Sequence, residues 1–185
     1  MDFKASYIDG SVTSSGDGSL FKPWKTLNDA IENCKNNENI LINSGTYKGA
    51  DNIGLIIEKN FNLYGDGEVI FDAQGKNFIW RLFDVAVNID GIIFKNGNAD
   101  RGGAIYSSEE SYITINNSKF INNTAEYYGG AILTDGHLEL NNCYFNKNTQ
   151  TTPDDNHDMP LPNVSGGSCY RYISFEHGIC QKQCF

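Results

Sequence analysis

The stretch that decides the fold is GGAIY at residues 102–106, which returns as GGAIL at residues 129–133. Around it three segments align: VNIDGIIFKNGNADRGGAIY, ITINNSKFINNTAEYYGGAIL and LELNNCYFNKNT. The alignment superimposes Phe94, Phe120 and Phe145, which are 26 and then 25 residues apart. A period of this length indicates that each repeat is one supersecondary unit stacked on its neighbours.

The repeats consist of short runs rich in Ile, Val, Phe and Tyr, separated by Gly, Asn and Asp, as is typical of strands. A propeller blade or a two-helix repeat needs roughly 34 to 50 residues, so a coil of parallel strands fits this shorter unit better. Successive rungs of such a coil lie about 4.8 Å apart, with equivalent positions above one another. We therefore expect Phe94, Phe120 and Phe145 to form an inward aromatic stack.

The paired glycines predict a corner of the coil. Glycine adopts backbone dihedrals that other residues avoid and permits close approach of neighbouring rungs, after which Ala and Ile enter the next strand facing the interior. The glycines concerned are Gly102, Gly103, Gly129 and Gly130. Asn116 and Asn141 are expected to form a second stack, because asparagine tolerates left-handed dihedrals and its amide can bond to the same amide one rung away.

One segment predicts a helix, PWKTLNDAIENCK at residues 23–35. Its apolar positions Leu27, Ala30, Ile31 and Cys34 recur at steps of three and four, which places them on one face. Thr26 is a plausible N-cap, and Asp29 three residues later resembles a capping box. A short helix with one stripe to bury is expected to lie across the end of the coil.

Composition limits the partners. With 185 residues the chain suits one domain, and a net charge of -9 makes nucleic acid and anionic membranes poor partners. No stretch is long enough to span a bilayer, and MDFKASYIDG lacks the pattern of a signal peptide. The five cysteines lack zinc-like spacing; one disulfide among Cys169, Cys180 and Cys184 is an open alternative to free thiols.

Several motifs resemble known families. GGAIY and GGAIL, with FINN and FNKN, resemble the GGA(I/L/V) and FxxN repeats of the polymorphic outer-membrane proteins. The run from YIDGSVTSSGDGSLFKPWKTLNDAI through GTYKG and NLYGDGEVIFDAQGK resembles the adhesin-like surface proteins of methanogenic archaea. Together these resemblances cover about residues 7–149, although KNG after Phe94 departs from FxxN.

The resemblance implies an all-β fold, a single-stranded right-handed parallel β-helix of the pectate-lyase-like type with an N-terminal capping helix. It also implies an extracellular or cell-surface protein, although the first ten residues, MDFKASYIDG, do not predict a signal peptide. We expect the β-helix to occupy residues 1–149. Residues 150–185 are expected to form an exposed loop and a Cys-containing tail, either a last degenerate rung or an unstructured end, and an open last rung would invite self-association.

An enzyme on this fold would be a polysaccharide lyase or a glycoside hydrolase. The lyase needs carboxylates, with Ca²⁺, and a base; the hydrolase needs two carboxyl groups at a set separation. The candidate residues are Asp66, Asp72, Asp84, Asp90 and Arg81. None lies in a motif of either family, and aspartates beside glycine favour turns, so we predict no catalytic residue, no cofactor and no metal site.

Exposed aromatic side chains beside the glycine corners suggest a binding surface. Tyr106, Tyr112, Tyr127 and Tyr128 flank the corners, and tyrosine can bury apolar area against a sugar ring or partner while its hydroxyl stays hydrated. We predict a contact patch formed by Tyr127, Tyr128, Asp100 and Arg101. The leading hypothesis is a non-catalytic, adhesin-like surface module that binds polysaccharide or partner cells; the alternatives are a carbohydrate-active enzyme and a truncated structural scaffold.

Overall fold

The computed structural model describes residues 5–152, 171–173 and 177–184. These residues form a parallel β-solenoid of about five turns with one short helix, so the predicted fold class is confirmed. The chain winds through three sheets, and almost every strand pairs in parallel with its equivalent in the next rung.

The first sheet is the longest side of the coil and contains eight strands. They are β1 (Ser6–Ile8), β2 (Glu38–Tyr47), β4 (Phe61–Asp72), β6 (Ala86–Lys95), β9 (Tyr112–Asn116), β10 (Lys119–Ile121), β13 (His137–Asn146) and β16 (His177–Cys184). The second sheet contains β7 (Asn98–Arg101), β11 (Thr124–Tyr128) and β14 (Thr149–Gln150). The third contains β3 (Leu55–Ile57), β5 (Trp80–Leu82), β8 (Ile105–Ser107), β12 (Ile132–Thr134) and β15 (Arg171–Ile173).

The aromatic stack forms as the repeat predicts. Phe120 pairs in register with Phe94 and with Phe145, and the ring centroids are 4.9 and 5.0 Å apart. Phe71 extends the stack at 6.4 Å from Phe94, and Trp80 contacts both rings edge-on at 4.8 and 4.9 Å. All five side chains are fully buried, so this column is the centre of the core.

The glycine pair forms the predicted corner, and its two members have different tasks. Gly102 and Gly129 adopt left-handed dihedrals, with φ of 57° and 65°. The second glycine allows close approach, because a Cβ on Gly103 would lie 2.2 Å from the carbonyl oxygen of Gly130. The alanine and isoleucine that follow each pair are buried, as expected.

The asparagine ladder is confirmed, and its left-handed members are the neighbouring residues. The Asn141 side chain donates to Asn116 at 2.9 Å, and Asn116 donates to Asn88 at 2.9 Å. Positive φ occurs one residue later, at Asn117 and Asn142, which form their own ladder at 2.8 Å. The residue after each of them takes the left-handed dihedral, while Asn116 ends β9 and Asn141 lies within β13.

The FxxN motif has a structural explanation. Asn123 and Asn148, three residues after Phe120 and Phe145, are buried. Asn123 donates to the carbonyl oxygen of Phe94 at 3.1 Å, and Asn148 donates to that of Phe120 at 2.9 Å. Each amide therefore ties a corner to the rung before it and satisfies backbone groups that would otherwise be buried without partners.

Helix α1 (Leu27–Asn33) is shorter than the predicted 23–35. It begins at Leu27 because Thr26 is its N-cap, and the capping box with Asp29 is present. Trp24 precedes it in an extended bridge to Ile8, so residues 23–25 are not helical. Leu27, Ala30 and Cys34 are buried, and Lys59 donates to the carbonyls of Ile31, Glu32 and Cys34. The helix thus caps the first rungs, as predicted.

The opposite end of the coil carries two antiparallel strands. β15 pairs with β12, and β16 pairs with β13. The last parallel rung is therefore covered along its first and third sheets by later parts of the chain. The predicted loop lies outside the described residues from residue 153. Cys169 and the side chains of Cys180 and Cys184 lie outside them too, so the choice between a disulfide and free thiols stays open.

Truncation of the central ring should destabilise the protein strongly. We expect Phe120→Ala to lower the free energy of unfolding by about 3–5 kcal/mol, because it removes a buried ring and leaves a cavity. Urea denaturation measures the effect. Tyr112→Ala is the control, since Tyr112 is 62% exposed and its loss should cost less than about 1 kcal/mol; equal losses would contradict the aromatic column as the centre of the core.

The corner glycines should be intolerant of a side chain. Gly129 and Gly49 both have positive φ, but a Cβ would lie 2.3 Å from the Ile132 carbonyl oxygen at Gly129 and meets nothing within 4 Å at Gly49. Both alanine variants bear the left-handed strain, and Gly129→Ala adds a clash costing about 1–3 kcal/mol. The melting temperature of Gly129→Ala should be well below that of Gly49→Ala. The reverse order would exclude close approach of the backbone as the reason for glycine at position 129.

Candidate functional site

The predicted contact patch assembles on the second sheet. Tyr128 on β11 pairs in register with Arg101 on β7, and the Arg101 guanidinium lies 5.8 Å from the centre of the Tyr128 ring. Asp100, exposed to 69% in its side chain, accepts a hydrogen bond from the Arg101 backbone at 2.9 Å. Two successive rungs therefore contribute to one surface, which we call the aromatic patch: Asp100, Arg101, Tyr127 and Tyr128.

Tyr127 is the most accessible ring of the aromatic patch. Its side chain is 43% exposed, and a hydrogen bond to Glu126 raises the pKa of its phenol. The hydroxyl is thus engaged with Glu126, and the feature that Tyr127 offers to a ligand is its exposed ring. A rigid ring with an apolar face is suited to a sugar ring or to a partner side chain.

The other two tyrosines that flank the glycine corners lie on different sheets from Tyr127 and Tyr128. Tyr106 belongs to β8 on the third sheet, where its hydroxyl donates to Asp135 at 2.7 Å. Tyr112 begins β9 on the first sheet, 5.8 Å from His137. The corner turns the chain onto a new sheet within a few residues, so proximity in sequence does not place these rings together.

The five residues of the enzyme alternative do not converge. Asp84 bonds to Ser108 at 2.9 Å, Asp90 to Asn117 at 2.9 Å, and Asp72 to Asn96 at 2.8 Å. Asp66 lies exposed within β4, paired in register with Asn43. Asp72 ends β4, Asp90 lies within β6 and Asp84 follows β5. Asp90 pairs in register with Tyr64, two residues before Asp66, so those two carboxylates belong to one corner of adjacent rungs.

Arg81 is held in place by packing. Its guanidinium lies 4.3 Å from the centre of the Phe78 ring and 5.5 Å from that of Tyr106, and it donates to the Gly102 carbonyl at 3.2 Å. Burial lowers the pKa of this guanidinium, while the nearby Asp100 acts in the opposite direction. Its contacts tie β5 to the glycine corner of the next rung, which is a structural task.

A polar groove lies at the corner between the first and second sheets, and sequence reasoning missed it. We call it the corner groove; its volume is about 530 Å³. It is lined by Asp72, Gln74, Gly75, Asn96, Gly97, Asn98, Asn122 and Thr124. Asp72 was named as a catalytic candidate, but the groove was not predicted because the amides beside Asp72 come from three different rungs. The sequence does contain a pattern that could have indicated the groove, because Gln74, Asn96 and Asn122 each follow a first-sheet strand.

The corner groove has a repeated backbone geometry. Gln74, Asn96 and Asn122 adopt positive φ of 57°, 55° and 54°. The Asn96 amide donates to the Asp72 carboxylate at 2.8 Å, and Lys48 lies 3.8 Å from the same carboxylate. Asn98 and Thr124 begin β7 and β11, so the corner groove and the aromatic patch occupy opposite ends of the same two strands.

No cluster of three or more His, Cys, Asp or Glu residues able to hold a metal ion exists among residues 5–152 and the two described strands of the tail. Over the same residues, no helix has the length and apolar character needed to cross a membrane.

Comparison with known proteins gave one match. Residues 117–135 match the model of the Chlamydia polymorphic membrane protein repeat, and they contain FINN and GGAIL. This match and the parallel solenoid together fit a β-helix built from repeats of that type, which occur in surface and outer-membrane proteins. The resemblance to methanogen proteins has no support from the comparisons. Searches of curated proteins and of solved structures each found no match.

The packing of Arg81 can be tested against a catalytic role. We expect Arg81→Ala to lower the free energy of unfolding by about 1–2 kcal/mol, because two cation–π contacts and a hydrogen bond in a half-buried position are lost. Chemical denaturation measures this. Asp100→Ala removes an exposed ion partner of Arg81 and an exposed hydrogen bond from the Arg101 backbone, and it should cost less than about 1 kcal/mol. If Arg81→Ala is as stable as the parent chain, the structural assignment is wrong.

Proposed function

We propose that this chain is a non-catalytic, adhesin-like module of a cell-surface protein, which makes weak contacts with surface polysaccharide or partner cells. The observation that carries the proposal is the aromatic patch, where Tyr127 and Tyr128 lie beside Arg101 on an accessible sheet. Its support is local geometry: an exposed ring, a second ring paired with a guanidinium, and an exposed carboxylate within two adjacent strands.

Repetition suits weak recognition. Each rung adds one strand to the second sheet, about 4.8 Å from the last, so a longer array of such rungs would present similar surfaces at regular intervals. Several weak contacts with one polymer raise the effective concentration of each remaining contact, and the combined affinity exceeds that of any one site. The surface location of proteins with this repeat supports such a role.

Charge supports the choice of partner. With a net charge of -9, the protein disfavours polyanions at long range, whereas uncharged glycans and protein surfaces experience little repulsion. The carbohydrate-active enzyme is not proposed, because the residues of that alternative are engaged within the fold: Arg81 packs against Phe78 and Tyr106, and Asp72, Asp84 and Asp90 each accept a hydrogen bond from a neighbouring side chain. The scaffold alternative predicts no ligand and is distinguished by the binding experiment.

The aromatic patch should control retention on surface polymers. Incubate the purified protein, with and without Ca²⁺, with insoluble cell-wall and plant polysaccharides, and measure both bound protein and released sugars. We expect binding without sugar release, and a loss of about five- to fiftyfold in affinity for Tyr127→Ala/Tyr128→Ala, since stacking of one ring on a ligand contributes about 1 kcal/mol or more.

The matched control is Tyr112→Ala, which removes another exposed tyrosine from a different sheet and should bind as the parent chain does. Unchanged binding of the Tyr127/Tyr128 variant would remove the aromatic patch from the account. Release of unsaturated or reducing sugars would instead establish an enzyme, and the absence of binding to every polymer and to cells would favour the scaffold.

A further inference from the structure

The corner groove offers hydrogen-bonding groups that the fold itself does not use. Gln74 and Asn122 are exposed, and their side-chain amides form no hydrogen bond within the described part of the chain. The Asn96 amide nitrogen donates to Asp72, while its amide oxygen accepts no hydrogen bond from the described residues. Each amide supplies donors, acceptors or both, so the groove has a mixed polar character.

The amides are arranged by the solenoid. Gln74, Asn96 and Asn122 occupy the same corner of three consecutive rungs with φ between 54° and 57°. Consecutive rungs are about 4.8 Å apart, which is comparable to the length of one pyranose unit. Asn96 and Asn122 are equivalent by strand register, and Gln74 stands one residue beyond that position in its own rung. Side-chain amides of three rungs therefore follow one another along the coil axis, near the repeat of an extended sugar chain.

The chemistry of the groove disfavours other ligand classes. Asp72 is the only carboxylate in its lining, and it already accepts from Asn96 and lies near Lys48. Ca²⁺ requires six to eight oxygen ligands, so one engaged carboxylate is a poor site for it. An apolar ligand would find no large apolar side chain in the lining, and an anionic polymer would meet Asp72 in a protein of net charge -9.

We propose that the corner groove is a second binding site, specific for an uncharged, hydroxyl-rich glycan whose chain runs along the row formed by Gln74, Asn96 and Asn122. Vicinal hydroxyls of the sugar donate to amide oxygens and accept from amide nitrogens, which matches the mixed set of groups. The proposal rests on the proposed function for its biological setting, contact of a surface module with glycans, but uses different residues from the aromatic patch.

The corner groove allows a substitution that preserves the backbone. Asn122→Gly removes the amide while keeping a residue that adopts positive φ without strain. Asn142→Gly is the control for the backbone change, because Asn142 is also an exposed asparagine, with φ of 51°, at another corner of the coil. It also removes the 2.8 Å bond from Asn142 to Asn117, so the stability of each variant is measured beside its binding. Both variants should fold, so a difference in binding between them reports on the groove.

The experiment is a titration of ¹⁵N-labelled protein, observing backbone and side-chain amide signals by NMR; the backbone signals report on the aromatic patch and the side-chain signals on the corner groove. The probes are cellohexaose, mannohexaose and chitohexaose, with hexagalacturonate as the anionic comparator. At least one uncharged probe should shift the Asn122 and Gln74 amide signals. Asn122→Gly should weaken its affinity about two- to tenfold, as expected for one or two neutral hydrogen bonds, while Asn142→Gly leaves it unchanged.

The outcomes separate the two proposals. Groove signals that still shift in Tyr127→Ala/Tyr128→Ala support the corner groove as an independent site, even if the aromatic patch fails. Shifts confined to the aromatic patch overturn the groove proposal and leave the proposed function standing. The groove proposal is also overturned if no uncharged probe shifts its amides, if hexagalacturonate binds equally well, or if Asn142→Gly weakens binding as much as Asn122→Gly.

Discussion

Stacking of equivalent residues one rung apart is the constraint on which the rest of this structure depends. The phenylalanine column places rings 4.9 and 5.0 Å apart, which is the spacing of hydrogen-bonded strands. The core can therefore be filled only if every rung returns to the same register. The corners absorb differences in rung length, since Phe94 and Phe120 are 26 residues apart and Phe120 and Phe145 are 25 apart, yet all three remain in register. Within a strand, by contrast, a slip of one residue would turn Phe120 out of the column and bury a polar neighbour.

The corners meet this requirement by hydrogen bonding and by backbone conformation. Left-handed Asn117, Asn122 and Gly129 turn the chain, whereas buried Asn123 and Asn148 join one corner to the next. Gly97 stands where FxxN would place an asparagine. A Cβ there would lie 2.0 Å from the Gly103 carbonyl oxygen, so the glycine corner of the same rung excludes any side chain. The apparent departure from the motif therefore has a steric cause.

The outer surface of the coil repeats from rung to rung as the core does, and the proposed binding surfaces depend on this repetition. A turn that places one asparagine at a corner places its equivalents above and below, which creates rows of like side chains on the outside of the coil. The corner groove is such a row, and the aromatic patch lies at the other end of the same strands. The two ends of the coil differ in kind: α1 covers the first rungs, while antiparallel β15 and β16 cover the last. The solenoid between them carries the binding surfaces.

Several features were determined by the sequence alone: the repeat, the parallel coil, the Phe94–Phe120–Phe145 column, the glycine corner and the capping box of α1. Each depends on local dihedrals or on a period, which are written in residue order. The sequence could not show that Tyr106 and Tyr112 lie on different sheets from Tyr127, or that Arg81 packs between two rings. Nor could it show that Asp72, Asn96 and Asn122 line one groove. Those placements are decided by where each corner directs the chain, because residues about 25 apart become neighbours only after the rungs have stacked.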